Sequence, residues 1–161
     1  MLSIGVRKME IRKGAKEHID NIVELAKTEF ESVGFLPKSV YERAVSLDRR
    51  PCEKLDVCFD NGKLVGYCYS TRNNGTVKIQ QVLVENESRR KGYASALVDA
   101  AVCNYDYLIK LRCAVDSVEG NAFCEGLSFE LIKMAKGGKS RDRWIKVYGK
   151  PVIDCVQLSL F

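Results

Sequence analysis

Residues 84–94 read VENESRRKGYA and are the most informative segment of this sequence. The residues before them alternate in polarity as in a β-strand, and those after them place Ala94, Leu97, Val98 and Ala101 on one face of a helix. The first turn of a helix has unpaired backbone N–H groups and a partial positive charge, both of which attract an anion. Gly92 permits a close approach to the backbone, and three cations add charge: Arg89, Arg90 and Lys91. The segment predicts a phosphate-binding loop, and a basic turn at an ordinary helix start is the alternative.

The segments on either side predict an α/β fold with one mixed, mostly antiparallel sheet flanked by helices. Before the loop we predict a strand, two helices and three strands of period two, at 9–14, 16–30, 38–47, 54–60, 63–71 and 76–85. After it we predict a helix, a strand covered on both faces, a short helix and two strands, at 94–101, 107–115, 119–127, 129–135 and 143–149. The predicted order is therefore β-α-α-β-β-β-α-β-α-β-β.

Composition places this chain among ordinary globular proteins. Its 161 residues, 46% of them hydrophobic and 29% charged, suit one domain with a substantial core. No apolar run approaches the roughly 18 residues of a membrane span, and the apolar start is too short for a signal peptide, so a cytoplasmic location is expected. The seven cysteines never form C-x-x-C or zinc-site spacing, which predicts buried, reduced thiols and no metal.

Two motifs resemble the GCN5-related N-acetyltransferase (GNAT) superfamily. Val84, Arg89, Gly92 and Ala94 fit V-x-x-x-x-R-x-x-G-x-A, which is similar to that family's acyl-CoA pyrophosphate loop. NAFCEGLSF (121–129) resembles N-x-F-Y-E-K-L-G-F, the family's stretch that crosses the pantetheine arm. The element order also fits, so the resemblance covers roughly residues 7–149. It implies an N-acyltransferase that uses acetyl-CoA or another acyl-CoA.

The resemblance also implies which residues bind the cofactor. The N–H groups from Arg90 to Ala94 would hold the diphosphate, with Arg89 at its border. The backbone of Leu83 and Val84 would bind the pantetheine amides, and Asn121 would position or polarise the arm. The implied cofactor-binding residues are Leu83, Val84, Arg89, Arg90, Lys91, Gly92, Tyr93, Ala94 and Asn121.

The group that protonates the leaving thiolate stays open in the sequence. The family's tyrosine aligns with Cys124, and a cysteine either serves as an acid or packs as a core residue. Tyr148 and Tyr93 are substitutes, again with packing as the alternative.

The general base is equally open. The central strand has Gln80 and Gln81 where the family often has a carboxylate, so Glu85 and Asp116, both at strand ends, are the candidates. A water chain, or an amine that arrives neutral, would make a protein base unnecessary. His18 is predicted to lie at the surface of the first helix.

The segment 133–150 is strongly basic and predicts contact with an anionic acceptor. It has seven basic residues against one acid, and the resemblance places it in the last hairpin, part of the acceptor site. Lys139, Arg141 and Arg143 suit phosphate groups, and Trp144 and Tyr148 could stack on a base. DNA, or a DNA-bound protein, is therefore one predicted acceptor; a solvated hairpin with a core tryptophan is the alternative.

The last five residues, QLSLF, are similar to the peptide with which bacterial polymerases and repair proteins bind the sliding clamp. We predict a domain at 1–150 and a tail at 151–161, in which four residues would contact the clamp: Gln157, Leu158, Leu160 and Phe161. A terminal strand that folds back onto the sheet is the alternative.

Two other functions remain open at this point. One is a small-molecule or protein N-acetyltransferase with a purely structural tail. The other is a non-catalytic acyl-CoA-binding module recruited to the clamp, which the missing tyrosine and strand carboxylate favour. The sequence does not indicate the oligomeric state or the acyl group.

Overall fold

A computed structural model describes residues 8–28, 36–46, 52–103, 105–136 and 144–152. Within these residues there are seven strands and four helices, in the predicted order. The strands are β1 (Met9–Lys13), β2 (Glu53–Asp60), β3 (Lys63–Asn73), β4 (Thr76–Val84), β5 (Leu108–Ala114), β6 (Glu130–Lys136) and β7 (Trp144–Pro151). The helices are α1 (Ile19–Thr28), α2 (Lys38–Val45), α3 (Tyr93–Ala101) and α4 (Val118–Gly126). None of the helices in these ranges is long and apolar enough to cross a membrane.

The strands form one sheet in the order β1-β2-β3-β4-β5-β7-β6. β4 and β5 are parallel and are joined by the α3 crossover, whereas the β1–β2, β5–β7 and β6–β7 pairs are antiparallel. Asn61–Gly62 and Asn74–Gly75, the central residues of the two early turns, all have positive φ, as tight hairpin turns require. The α/β fold predicted from the sequence is confirmed.

The chain divides into two compact units, residues 1–69 with 81–101 and residues 70–80 with 102–161. In the first unit, apolar residues of α1 and α2 pack on β2 and β3. The core comprises Ile19, Ile22, Tyr41, Ala44, Leu55, Val57, Phe59, Tyr67, Tyr69 and Leu83.

Two groups of polar side chains form hydrogen bonds within the first unit. Glu53, only 3% exposed, accepts hydrogen bonds from Arg43 and from the Tyr69 hydroxyl at 2.7 Å, so its buried charge is paired. Lys8 and Asn61 bond each other in both directions: the Lys8 N–H donates to Asn61 Oδ1 (3.1 Å) and the Asn61 N–H to the Lys8 carbonyl (3.0 Å). These two hydrogen bonds fix the start of β1 to the β2–β3 turn.

The prediction that His18 lies at the surface is wrong. Its ring is buried edge-on against Phe59, and Nδ1 accepts the Ala15 N–H at 2.9 Å. The imidazole thus caps the chain where it enters α1.

The second unit corrects two details of the strand predictions. β5 is not covered on both faces, because Ile109, Leu111 and Cys113 are buried while Arg112 is exposed. β7 continues past the predicted end at Gly149 to Pro151, and the Val152 N–H then donates to the Tyr107 carbonyl at 3.0 Å.

The cysteines of the described residues carry free thiols, as predicted. Four of them are buried: Cys58, Cys68, Cys113 and Cys124. In the described part of the chain, no three His, Cys, Asp or Glu side chains are grouped to hold a metal.

Candidate active site

The loop after β4 is held by one backbone hydrogen bond to β3 and by a hydrogen bond from its own Arg89 side chain. The Glu85 N–H donates to the Val65 carbonyl at 2.8 Å, which ends the strand, and a 3₁₀ turn follows at Asn86–Ser88. Arg89 then folds back, with Nε donating to the Val84 carbonyl at 3.0 Å. This guanidinium is fixed beside the loop, and the Val84 carbonyl already accepts one hydrogen bond.

The next residues expose backbone to solvent. Arg90 and Gly92 have φ of 64° and 85°, and a Cβ placed on Gly92 would meet no atom within 4 Å. The Ala96 N–H donates to the Gly92 carbonyl at 3.0 Å as α3 begins. Arg90, Lys91 and Gly92 are exposed, so an anion has an open approach to a helix start with two cations.

The strand end and helix start that flank this loop are firmly packed. Leu83 and Val84 are 5% exposed, and Tyr93 only 2%. A Cβ on Gly66 would lie 2.8 Å from the Leu83 carbonyl, which shows how closely β3 approaches β4 here. Tyr93 thus anchors α3, as the packing interpretation of this residue expects, and Ala94 is half-buried.

In the second unit, Asn121 joins three parts of the chain. Its Nδ2 donates to the carbonyls of Ala114 (3.2 Å), Val115 (3.3 Å) and Ser117 (2.6 Å). Its Oδ1 accepts the Tyr148 hydroxyl at 2.6 Å. Two residues that the sequence predicts separately for the site are therefore hydrogen-bonded to each other. Burial raises the pKa of Tyr148 above its ordinary value.

Cys124 lies on α4 and is completely buried. Burial, with smaller effects of Cys113 and Glu125, raises the pKa of its thiol to about 12. The thiol stays protonated at neutral pH, and its burial favours the packing interpretation.

We expect Cys124→Ala to lower the free energy of unfolding by about 1 kcal/mol and to change kcat by less than about twofold. Cys58→Ala, at a buried cysteine without a proposed role, is the matched control. A fall in kcat of about a hundredfold in Cys124→Ala alone would instead assign the thiol as general acid. Both variants are measured by urea unfolding and steady-state kinetics.

The two candidate carboxylates have different surroundings. Glu85 is half-buried beside the loop, and its carboxylate faces Lys63 at 3.3 Å and accepts the Ser88 hydroxyl at 2.8 Å. Asp116 is exposed in the turn between β5 and α4. Glu85 is thus held in place, and both stay candidates for the base.

Gln81 stands where the family often has a carboxylate, and the sequence predicts no role for it. In the structure it is buried and belongs to a group of hydrogen-bonded side chains. Its Oε1 accepts the hydroxyls of Tyr41 at 2.6 Å and Tyr67 at 2.9 Å. Burial raises the pKa of both tyrosines. A polar residue at a strand position where the pattern predicts an apolar one indicates such a buried group. The sequence does not show its hydrogen-bond partners, because Tyr41 and Tyr67 lie in other segments of the chain.

The sequence matches a family model described as the acetyltransferase (GNAT) family over residues 19–122. The match covers more than half of the chain and includes the loop at 89–94 and Asn121. The chain belongs to this family, whose members are acyl-CoA-dependent N-acetyltransferases. A comparison with curated protein sequences gives no significant match.

Several crystal structures share the fold over nearly the whole chain. Ard1 from Thermoplasma volcanium is 18% identical, with a TM-score of 0.75 over 91% of this chain and 99% of that chain. The acetyl transferase from Salmonella typhimurium that modifies the N-terminal serine of ribosomal protein L7/L12 is 15% identical, with a TM-score of 0.76 over 92% and 97%. NAA60 from Arabidopsis thaliana in complex with acetyl-CoA is 11% identical, with a TM-score of 0.75 over 90% and 99%. At these identities the similarity shows the fold alone.

Proposed function

We propose that this protein transfers an acyl group, most simply acetyl from acetyl-CoA, to an amine. The observation that carries the proposal is the open backbone of residues 90–92 at the start of α3, with the exposed cations Arg90 and Lys91 beside it. The space beside Gly92 leaves room for an anion, since an added Cβ there would meet no protein atom within 4 Å. Acetyl-CoA supplies the activated acyl group as a thioester.

The chain's own residues bind and orient the reactants. Backbone N–H groups at 90–94 hold the diphosphate, with Arg89 beside them, and the backbone of Leu83 and Val84 lies along the pantetheine arm. Positioning and polarisation of the acyl carbonyl account for most of the rate in such a reaction. Asn121 orients the Tyr148 hydroxyl, which makes Tyr148 a better candidate than the buried Cys124 for the group that donates a proton.

We propose DNA, or a protein bound to DNA, as the acceptor. The basic composition of 133–150 supports this choice, as does Trp144, which is 50% exposed with the Lys136 ammonium 5.5 Å from its ring centre. The hairpin loop with Lys139, Arg141 and Arg143 lies outside the described residues.

The tail at 151–161 is proposed to bring the domain at 1–150 to a sliding clamp. Its sequence, QLSLF, supports this role. Gln157, Leu158, Leu160 and Phe161 lie outside the described residues. Saturable binding of a labelled tail peptide to purified bacterial clamp is the expected result, and absence of saturable binding would contradict it.

Turnover of acetyl-CoA tests the proposed function. We expect release of free CoA thiol that depends on an added amine, measured in parallel with duplex DNA, with a polyamine and with no acceptor. Turnover with the polyamine alone would favour a small-molecule acetyltransferase. Saturable acetyl-CoA binding without any turnover would favour a non-catalytic binding module.

A further inference from the structure

Four cations lie on one face of the sheet in the second unit. β4 and β5 pair Lys78 with Lys110, and β5 and β7 pair Lys110 with Gly149 and Arg112 with Val147. β6 and β7 pair Lys133 with the same Val147. Because paired residues of neighbouring strands point to the same face, Lys78, Lys110, Arg112 and Lys133 share one face, which we name the basic face.

The basic face is accessible and its charges are close together. Arg112 and Lys133 are exposed, and Lys78 and Lys110 are half-buried. The four cations lie on β4, β5 and β6, and β7 separates the last two of these strands. Neighbouring strands lie about 4.8 Å apart, and alternate residues of one strand about 6.6 Å apart. The pKa of Lys78 lies below its usual value, because of burial first and then of Arg112 and Lys110.

The charges of the basic face are not balanced locally. In the described part of the chain, no carboxylate lies within ion-pair distance of these four cations. Glu130 is exposed and pairs with Gly149, which also pairs with Lys110. Glu130 is therefore on the same face as Lys110, but two strands away from it. Lys78 and Lys110 are directly opposite each other on paired strands, and like charges in that position repel. A bound polyanion would offset this repulsion.

We propose that the basic face binds the phosphate backbone of duplex DNA. Sites for single strands combine cations with aromatic side chains on which bases stack. Trp144 pairs with Lys136, and the register of β7 puts it on the opposite face. Among the described residues of these strands, the basic face therefore offers charge without a stacking ring, which suits contact with phosphates alone.

The choice of DNA as the ligand rests on the proposed function. The basic face itself is a separate binding site that contains no residue proposed for catalysis or for cofactor binding. The register also divides the basic segment 133–150 between two faces. Lys146 pairs with Cys113 and Lys150 with Ile109, so both point away from the basic face. Of the described cations in that segment, Lys133 is thus the one that joins Lys78, Lys110 and Arg112.

The test compares two double variants of equal net charge. Lys110→Gln/Arg112→Gln removes two cations of the basic face, and Lys13→Gln/Lys16→Gln removes two exposed cations of the first unit, outside the segment 133–150. Fluorescence anisotropy with a short labelled duplex of mixed sequence gives Kd over a range of salt concentrations, in the full chain without acyl-CoA. Thermal unfolding confirms that each variant is folded.

We expect the basic-face variant to raise Kd about tenfold at low salt and to reduce the slope of log Kd against log salt by about 1.8, since each phosphate contact contributes about 0.9. The Lys13→Gln/Lys16→Gln variant stays within about twofold of the unmodified protein. Lys133→Gln, at an exposed position, provides a second variant whose slope falls by about 0.9.

Equal losses in the two double variants would overturn the proposal, because net charge alone would then explain binding. Tighter binding of a single strand of the same length, or of poly-glutamate, would also overturn it by assigning the face to another partner. The assay contains no acyl-CoA, so its failure is distinguishable from failure of acyl transfer.

Discussion

Gly92→Glu is expected to raise the Kd for acetyl-CoA at least about a hundredfold, or about 2.7 kcal/mol. The substitution places a carboxylate at the proposed diphosphate site, and like charges brought together at a binding surface cost several kcal/mol. No atom of the protein lies within 4 Å of the new Cβ, so the substitution causes no steric clash there, although the φ of 85° strains any residue other than glycine. Isothermal titration with acetyl-CoA gives the affinity directly.

Two controls separate the charge effect from backbone strain. Gly62 has a φ of 86°, close to the 85° of Gly92, and its Cβ position is equally open, so Gly62→Glu imposes the same strain away from the loop. Gly92→Lys keeps the strain at the loop but reverses the charge. Unchanged affinity in Gly92→Glu would remove the loop from the cofactor site, and an equal loss in Gly62→Glu would attribute the effect to strain.

Gln81→Leu is expected to lower the free energy of unfolding by about 2 kcal/mol. The substitution removes the acceptor that two buried hydroxyls share, those of Tyr41 and Tyr67. The hydroxyl oxygens are 3.4 Å apart and can bond each other, but one O–H then has no acceptor. Urea unfolding is the measurement, and the midpoint should fall without a change in m.

The triple variant Tyr41→Phe/Tyr67→Phe/Gln81→Leu is the matched control. It removes the donors with the acceptor and leaves no hydroxyl unpaired, so we expect it to recover to within about 1 kcal/mol of the unmodified protein. If the triple variant is as unstable as Gln81→Leu, the loss comes from packing rather than from hydrogen bonding.

The loop at 84–94 was predictable because its signals are local. Gly92 marks the position of positive φ, and the helix pattern follows directly. Arg90 also has a positive φ, which no rule for a non-glycine residue predicts. Local signals therefore identified the loop, but not its backbone conformation.

Features that depend on tertiary contacts are not predictable from local sequence patterns. The helical pattern predicts a surface position for His18, because it does not reveal that Phe59, far along the chain, packs against its ring. Asn121 and Tyr148 were both selected as site residues, but their hydrogen bond joins a helix to a later strand. Residues 107–115 are mainly apolar, so their sequence predicts a strand buried on both faces. The alternation of buried and exposed side chains is visible only in the structure, where Arg112 is exposed.

The hydrogen bonds between Lys8 and Asn61 have a consequence for the order of folding. β2, β3 and β4 are joined by tight turns, and such hairpins form in about 1–10 μs. β1 pairs with β2 only after the chain has closed a long loop that contains α1 and α2, and the entropy of that closure must be offset by the contacts it forms. We therefore expect the β2–β3 turn to exist before β1 arrives, so that Asn61 is already in place to align the incoming strand in its register.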